Sequence, residues 1–125
     1  MTDRDPGVPI ELMMDAARHA ISFVEGYSEE QFLESMRTQH AVSMCIVVIG
    51  ENARRLLTSH RALTELHPDI PWLEMAHMRD RIAHGYEKLH MRIVWETATT
   101  NLKPLLDMLE PILASLPDPD SPAIP

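Results

Sequence analysis

The chain has 125 residues, of which 45% are apolar, a size and content suited to one domain around one core and too apolar for a disordered polypeptide. With 19 acidic against 11 basic side chains the net charge is -8, which argues against a general nucleic-acid coat protein or a binder of anionic membranes. A single cysteine, Cys45, excludes an internal disulfide framework and a cysteine-rich zinc site; no apolar run approaches the ~18–20 residues of a bilayer span, and Met1–Gly7 lacks a signal-peptide core, so a cytoplasmic location is expected.

Glycine is scarce and proline is clustered, the punctuation of a helical chain. Residues 1–8 read as a disordered arm, 9–116 as the helical domain, and 117–125 as an extended proline-rich tail. Pro9 opens a first helix that runs to about Glu25, with Ile10, Met13, Met14, Ala17, Ile21 and Val24 as its inner stripe. Gly26 stops it. Ser28-Glu29-Glu30-Gln31 has the form of a capping box and starts a short second helix.

A third helix, about Thr38 to Ser59, contains the run Ala41–Ile49, apolar at every position except Ser43. Such a helix is either central in the bundle or faces a partner. Past Gly50 it becomes amphipathic, with Glu51 spaced to pair with Arg54 and Arg55. His67-Pro68-Asp69-Ile70-Pro71 breaks the chain, and Pro71 opens a fourth helix, Trp72 to about Tyr86. A fifth runs from about Met91 to Leu116, kinked or split by Pro104. The expected fold is all-α, an up-and-down bundle of four to five helices. Met13, Met14, Met44 and Met108 fall on apolar stripes and read as core filler. Cys45 reads as a small buried residue, and Trp72 and Trp95 as packing residues.

Charge is segregated along the chain. Between Arg54 and Arg92 stand seven basic residues against five acidic ones, with five of the seven histidines, leaving the remainder at net -10. Within this segment Arg79-Asp80-Arg81-Ile82-Ala83-His84-Gly85-Tyr86 gathers two guanidiniums, a carboxylate, an imidazole and a phenol at a helix end. Asp80 and His84 are four apart on one face, so the carboxylate could orient the ring and raise its pKa. Arg79 and His84 are five apart, about 140° around a helix, and do not converge on one straight helix. A joint site needs unwinding at Gly85, a bent-back arginine, or a second subunit.

Arginine binds a phosphodiester bidentately, and histidine moves protons near neutral pH. Together they suffice to cleave RNA without a metal, since the 2′-hydroxyl is a nucleophile already present in the substrate. A metal on His77, Asp80 and His84 is not expected, because the two histidines lie about 10.5 Å apart along the axis.

The stretch resembles the R-x-x-x-x-H-x-Y signature of HepT-like toxins, ribonucleases of the HEPN superfamily. Ile49-Gly50-Glu51-Asn52-Ala53, His67 through Trp72, Met78 through Tyr86 and Ile93-Val94-Trp95 resemble the same family in the same order, so the likeness spans roughly Ile10 to Leu113. It implies a HEPN-like homodimer whose two motifs meet in a cleft, with Arg79 and His84 catalytic, Asp80 and Arg81 supporting, and neither metal nor other cofactor. It further implies RNA rather than DNA as substrate, no membrane, and the toxin role in a type VII-like pair. The antitoxin partner would be a minimal nucleotidyltransferase (MNT) that adenylylates Tyr86. Many relatives carry asparagine where Asp80 stands. The aspartate either weakens RNA binding by its charge or tunes His84 upward. A second reading is a catalytically silent HEPN domain that binds its nucleotidyltransferase or a nucleotide, and a third is a structural adaptor.

Overall fold

The computed structural model describes residues 5–117. Its first helix, α1 (Gly7–Val24), begins two residues before Pro9, started by the Asp5 carboxylate, which accepts from the Gly7 amide at 2.8 Å. Pro9 sits in the first turn, where its missing N–H is not needed. Beyond Val24, Gly26 takes a left-handed φ of 82°, a conformation that costs glycine little, and the chain reverses. Helix α2 (Glu29–Leu33) follows with the expected capping box: the Ser28 hydroxyl accepts from the Gln31 amide and the Gln31 side chain accepts from the Ser28 amide.

Helix α3 (Met36–Ser59) starts behind Ser35, whose hydroxyl accepts from the Thr38 amide. It packs against α1 on one side and α5 (Trp72–Gly85) on the other, which explains its apolar run. Val42, Ile46, Ile49, Ala53 and Leu56 are buried. Met44 is not: it is 62% exposed, against its expected core role, and Met36 is 69% exposed two turns earlier on the same face. The other three methionines assigned to the interior meet Ile10, Ala17 and Leu109 in the core cluster, Met13 and Met14 fully and Met108 at its edge.

A short helix, α4 (Arg61–Leu66), occupies what the sequence left as a connection after Ser59, hinged at His60. The expected fifth helix is split. Pro104 has no N–H to give and its ring crowds the carbonyl four residues back. The backbone widens into a π turn over Thr97–Asn101, between α6 (Met91–Glu96) and α7 (Leu102–Ser115). Pro111 lies within α7 without ending it. Leu102, Leu105, Leu109 and Ile112 close the core against α1, and Phe32 of α2 packs on Trp95 with ring centroids 5.4 Å apart.

The result is an all-helical packed bundle with no strand among the described residues. No helix there is long and apolar enough to cross a membrane. Of the expected arm, residues 1–4 lie outside the described residues, as does the expected tail beyond Pro117.

Candidate active site

The site is built on α5 and the helix beneath it. Trp72 anchors the start of α5, its ring buried and its Nε1–H donating to the His67 carbonyl at 3.0 Å. Helices α3 and α5 run antiparallel, since Arg54 reaches Ala76 and Asp80 while His40 meets Tyr86. They approach closely because Gly50 has no side chain. A Cβ there would collide with the Arg79 Cβ and lie 2.5 Å from the Met75 carbonyl oxygen.

That close approach seats Arg79. Its Nε lies 2.5 Å from Glu51 Oε1, an ion pair whose N–H is not aimed along a hydrogen bond. Its Nη1 donates to Asp80 Oδ1 at 3.2 Å. Asp80 places its other oxygen 2.6 Å from Arg54 Nη2, which also donates to the Ala76 carbonyl. Glu51, Arg79, Asp80 and Arg54 thus form a quartet of two carboxylates and two guanidiniums. Partial burial pushes the Asp80 carboxyl up, but the hydrogen bonds and charges of Arg79 and Arg54 outweigh it and hold the group below its ordinary value. Two local expectations are corrected here. Glu51 pairs across the helix interface with Arg79 rather than with Arg54 or Arg55, and Arg55 donates to Asn52 Oδ1. Asp80 turns to the two guanidiniums rather than to His84.

His84 is exposed on the outer side of α5, where it lines a shallow depression with Asp80, Arg81, Gly85, Lys88 and Leu89. Helix α5 continues unbroken through both Arg79 and His84, so unwinding does not bring the two together. Asp80 links them: it touches Arg79 and borders the His84 depression. After Gly85 the backbone tightens into a 3₁₀ turn, Tyr86–Lys88. The Tyr86 ring lies edge-on to His40 with centroids 5.2 Å apart, and its hydroxyl is buried without a hydrogen-bond partner among the described residues. Arg81 donates only weakly, to Met78 Sδ at 3.6 Å. Cys45 is buried, and that burial raises its thiol above the usual value, unlike a nucleophile. Among the described residues no three His, Cys, Asp or Glu side chains gather as metal ligands would.

Residues 13–112 match the sequence profile of the family described as "Ribonuclease HepT-like". The chain belongs to this family. It is 34% identical over 95 residues to "Probable ribonuclease HepT" of Thermococcus cleftensis, covering 73% of this chain and 84% of that one. It is 30% identical over 110 residues to a "Putative RNase" of Caldanaerobacter subterraneus, covering 88% of this chain and 96% of that protein. A further "Putative RNase", from Methanocaldococcus jannaschii, is 31% identical over 96 residues, 77% of this chain and 80% of its own. No solved structure matched.

For a HepT-like chain the informative feature is the seat of Arg79. The motif arginine and histidine were legible in the sequence. Glu51 and Arg54 as the arginine's and aspartate's partners were not, because they lie 28 and 26 positions away and meet them only through the register of α3 on α5. The one sequence signal was Gly50-Glu51 itself, a small residue allowing close approach followed by an acid.

Proposed function

We propose that this chain is a metal-independent endoribonuclease that works as a homodimer, with Arg79 and His84 as its catalytic pair. The observation that carries the reading is the seating of Arg79. Glu51 lies against Nε and Asp80 accepts from Nη1, holding the guanidinium between them and leaving Nη2 without a protein partner among the described residues, free for a phosphate oxygen. Exposed His84 lies next along the helix, bordering the same Asp80.

In the reaction, the ribose 2′-oxygen attacks phosphorus as its proton is taken up. The P–O5′ bond breaks, and the departing 5′-oxygen receives a proton. The products are a 2′,3′-cyclic phosphate and a 5′-hydroxyl. His84 moves one of these protons, and Arg79 stabilises the charge gathering on the phosphoryl oxygens. Glu51 keeps the guanidinium in place through the step. The dimer supplies what one chain lacks, since Arg79 and His84 sit about 140° apart on α5. The exposed Met36, His40 and Met44, spaced four apart on α3 and leading toward Glu51, support self-association along this face.

The same reading makes the chain the toxin of a type VII-like HepT/MNT pair, silenced when a nucleotidyltransferase adenylylates Tyr86. The buried hydroxyl adds a condition: the Tyr86–Lys88 turn must open before the phenol can be modified. An unpaired buried hydroxyl costs about 1–3 kcal/mol, which favours that opening. One observation supports the silent-domain alternative, the charge already neutralised around Arg79 by two carboxylates. Incubating the purified protein with RNA in chelator separates the two. Cyclic-phosphate ends that disappear in His84→Ala support the nuclease; retarded but intact RNA supports binding alone. Sedimentation of the same sample as a monomer would remove the shared cleft.

A further inference from the structure

Around His84, the outer face of α5 and the turn after it carry a row of basic side chains that form no ion pair among the described residues. His77, Arg81, His84 and Lys88 are all exposed. Arg81, His84 and Lys88 line one depression, and His77 stands one turn before Arg81. None of the four lies in an ion pair with a carboxylate of the described residues, and Arg81 has only the Met78 sulfur. Elsewhere Arg18, Arg54, Arg61, Arg79, Arg92 and Lys103 are each held by a carboxylate, while Arg37 on α3 stands unpaired among the described residues but has no row of basic neighbours. Asp80, the acid inside the depression, is taken up by two guanidiniums. Glu87 lies on the turn between His84 and Lys88, and Glu74 lies just before His77.

We propose that this row is a track for the phosphates that flank the scissile one in single-stranded RNA, with Arg81 and Lys88 as its two fixed charges and His77 near its end. The proposal rests on the nuclease reading for which phosphate is cut, but not for the binding itself. From His77 to His84 the row runs about 10 Å along α5 at 1.5 Å per residue, and Lys88 stands on the turn beyond, so it is longer than one phosphodiester requires. It is a single row along the outer face of α5 and the turn that follows it, which follows one backbone rather than the two of a duplex. In-line attack by a 2′-hydroxyl also needs a nucleotide free to leave helical geometry, as an unpaired strand is. Glu74 marks where the row stops, since a phosphate there would meet a carboxylate.

The test uses the full-length protein and a fluorescein-labelled, fully 2′-O-methylated oligouridylate, which has no free 2′-hydroxyl and cannot be cut. Affinity is measured against salt concentration. Removing one cation that neutralises a phosphate should flatten the slope of log K on log salt by about 0.7 for a single strand. Arg81→Gln and Lys88→Gln should each do so, and the double variant should flatten it by the sum of the two. Lys103→Gln, a charge on α7 held by Asp107, should leave the slope unchanged. Thermal melting checks that the exposed substitutions leave the fold intact. Slopes equal to wild type in Arg81→Gln and Lys88→Gln would overturn the track and leave the row to a protein partner. An equal flattening in Lys103→Gln would overturn it too, reducing the effect to net charge, as would a wild-type protein that does not bind the oligomer. A wild-type protein that binds it with these slopes, yet leaves all-ribose RNA intact, would sink the nuclease reading and keep the track.

Discussion

The two sides of α5 solve different problems. On the inner side Arg79 is packed against α3, its guanidinium between Glu51 and Asp80, and its side chain is 28% exposed. On the outer side His84 is exposed in a depression and touches no described charge partner. An arginine that must meet a phosphate needs its orientation fixed before the substrate comes, because its long side chain loses rotamer freedom on binding. A histidine that exchanges protons needs access. On the proposed reading, one helix gives its buried flank to placement and its wet flank to proton exchange.

This contrast can be broken most sharply at the histidine. His84→Ala should cut RNA cleavage by roughly 10²–10⁴-fold while the melting temperature stays near wild type, because the side chain is exposed and holds no hydrogen bond or ion pair among the described residues. A variant that loses cleavage only by unfolding would erase the distinction. Gly50→Ala is the inner-side counterpart. The new methyl group meets backbone as well as the Arg79 Cβ, so it cannot be absorbed by a rotamer change. It should cost about 1–3 kcal/mol, visible as a melting temperature lower by several degrees, and cleavage should fall with it. A silent Gly50→Ala would mean that α3 and α5 are less tightly apposed at this point.

Glu51→Gln separates placement from stability. The pair with Arg79 is half exposed, so thermal stability should move by less than about 1 kcal/mol. Cleavage should drop about tenfold through kcat, the equivalent of about 1.4 kcal/mol in the barrier. Unchanged kcat would show that the arginine holds its place without the acid. The smallest effect is expected in acid. The Asp80 carboxyl is held below its ordinary value in the folded chain, so its contribution to stability is present above the unfolded pKa and is lost as pH falls through the folded one. Melting curves of wild type and Asp80→Asn should thus differ near neutral pH and converge below about pH 4. Curves that remain parallel into that range would detach Asp80 from the quartet.

Much of this architecture could be read from residue types alone. The stripes of α1 and α3, the capping box at Ser28, the breaks at Gly26 and Pro68 and the motif from Arg79 to Tyr86 all depend on neighbours within a few positions. What escaped depends on longer range. The π turn follows from Pro104, but a proline reports only that an ordinary helix fails, not how the backbone relaxes. Helix α4 is one and a half turns held at His60, too short for a periodic signal. The partners of Glu51 and Asp80 follow the offset between α3 and α5, which no spacing rule along one helix contains. Met44 looked interior because its neighbours are; the position facing outward is set by which sides α1 and α5 cover.

Gly50 has a consequence beyond packing. Because the Arg79 Cβ rests where the α3 backbone passes, the root of the arginine side chain is set by main-chain proximity, and only its guanidinium depends on Glu51 and Asp80. The outer flank of α5 can exchange its charges without shifting that anchor.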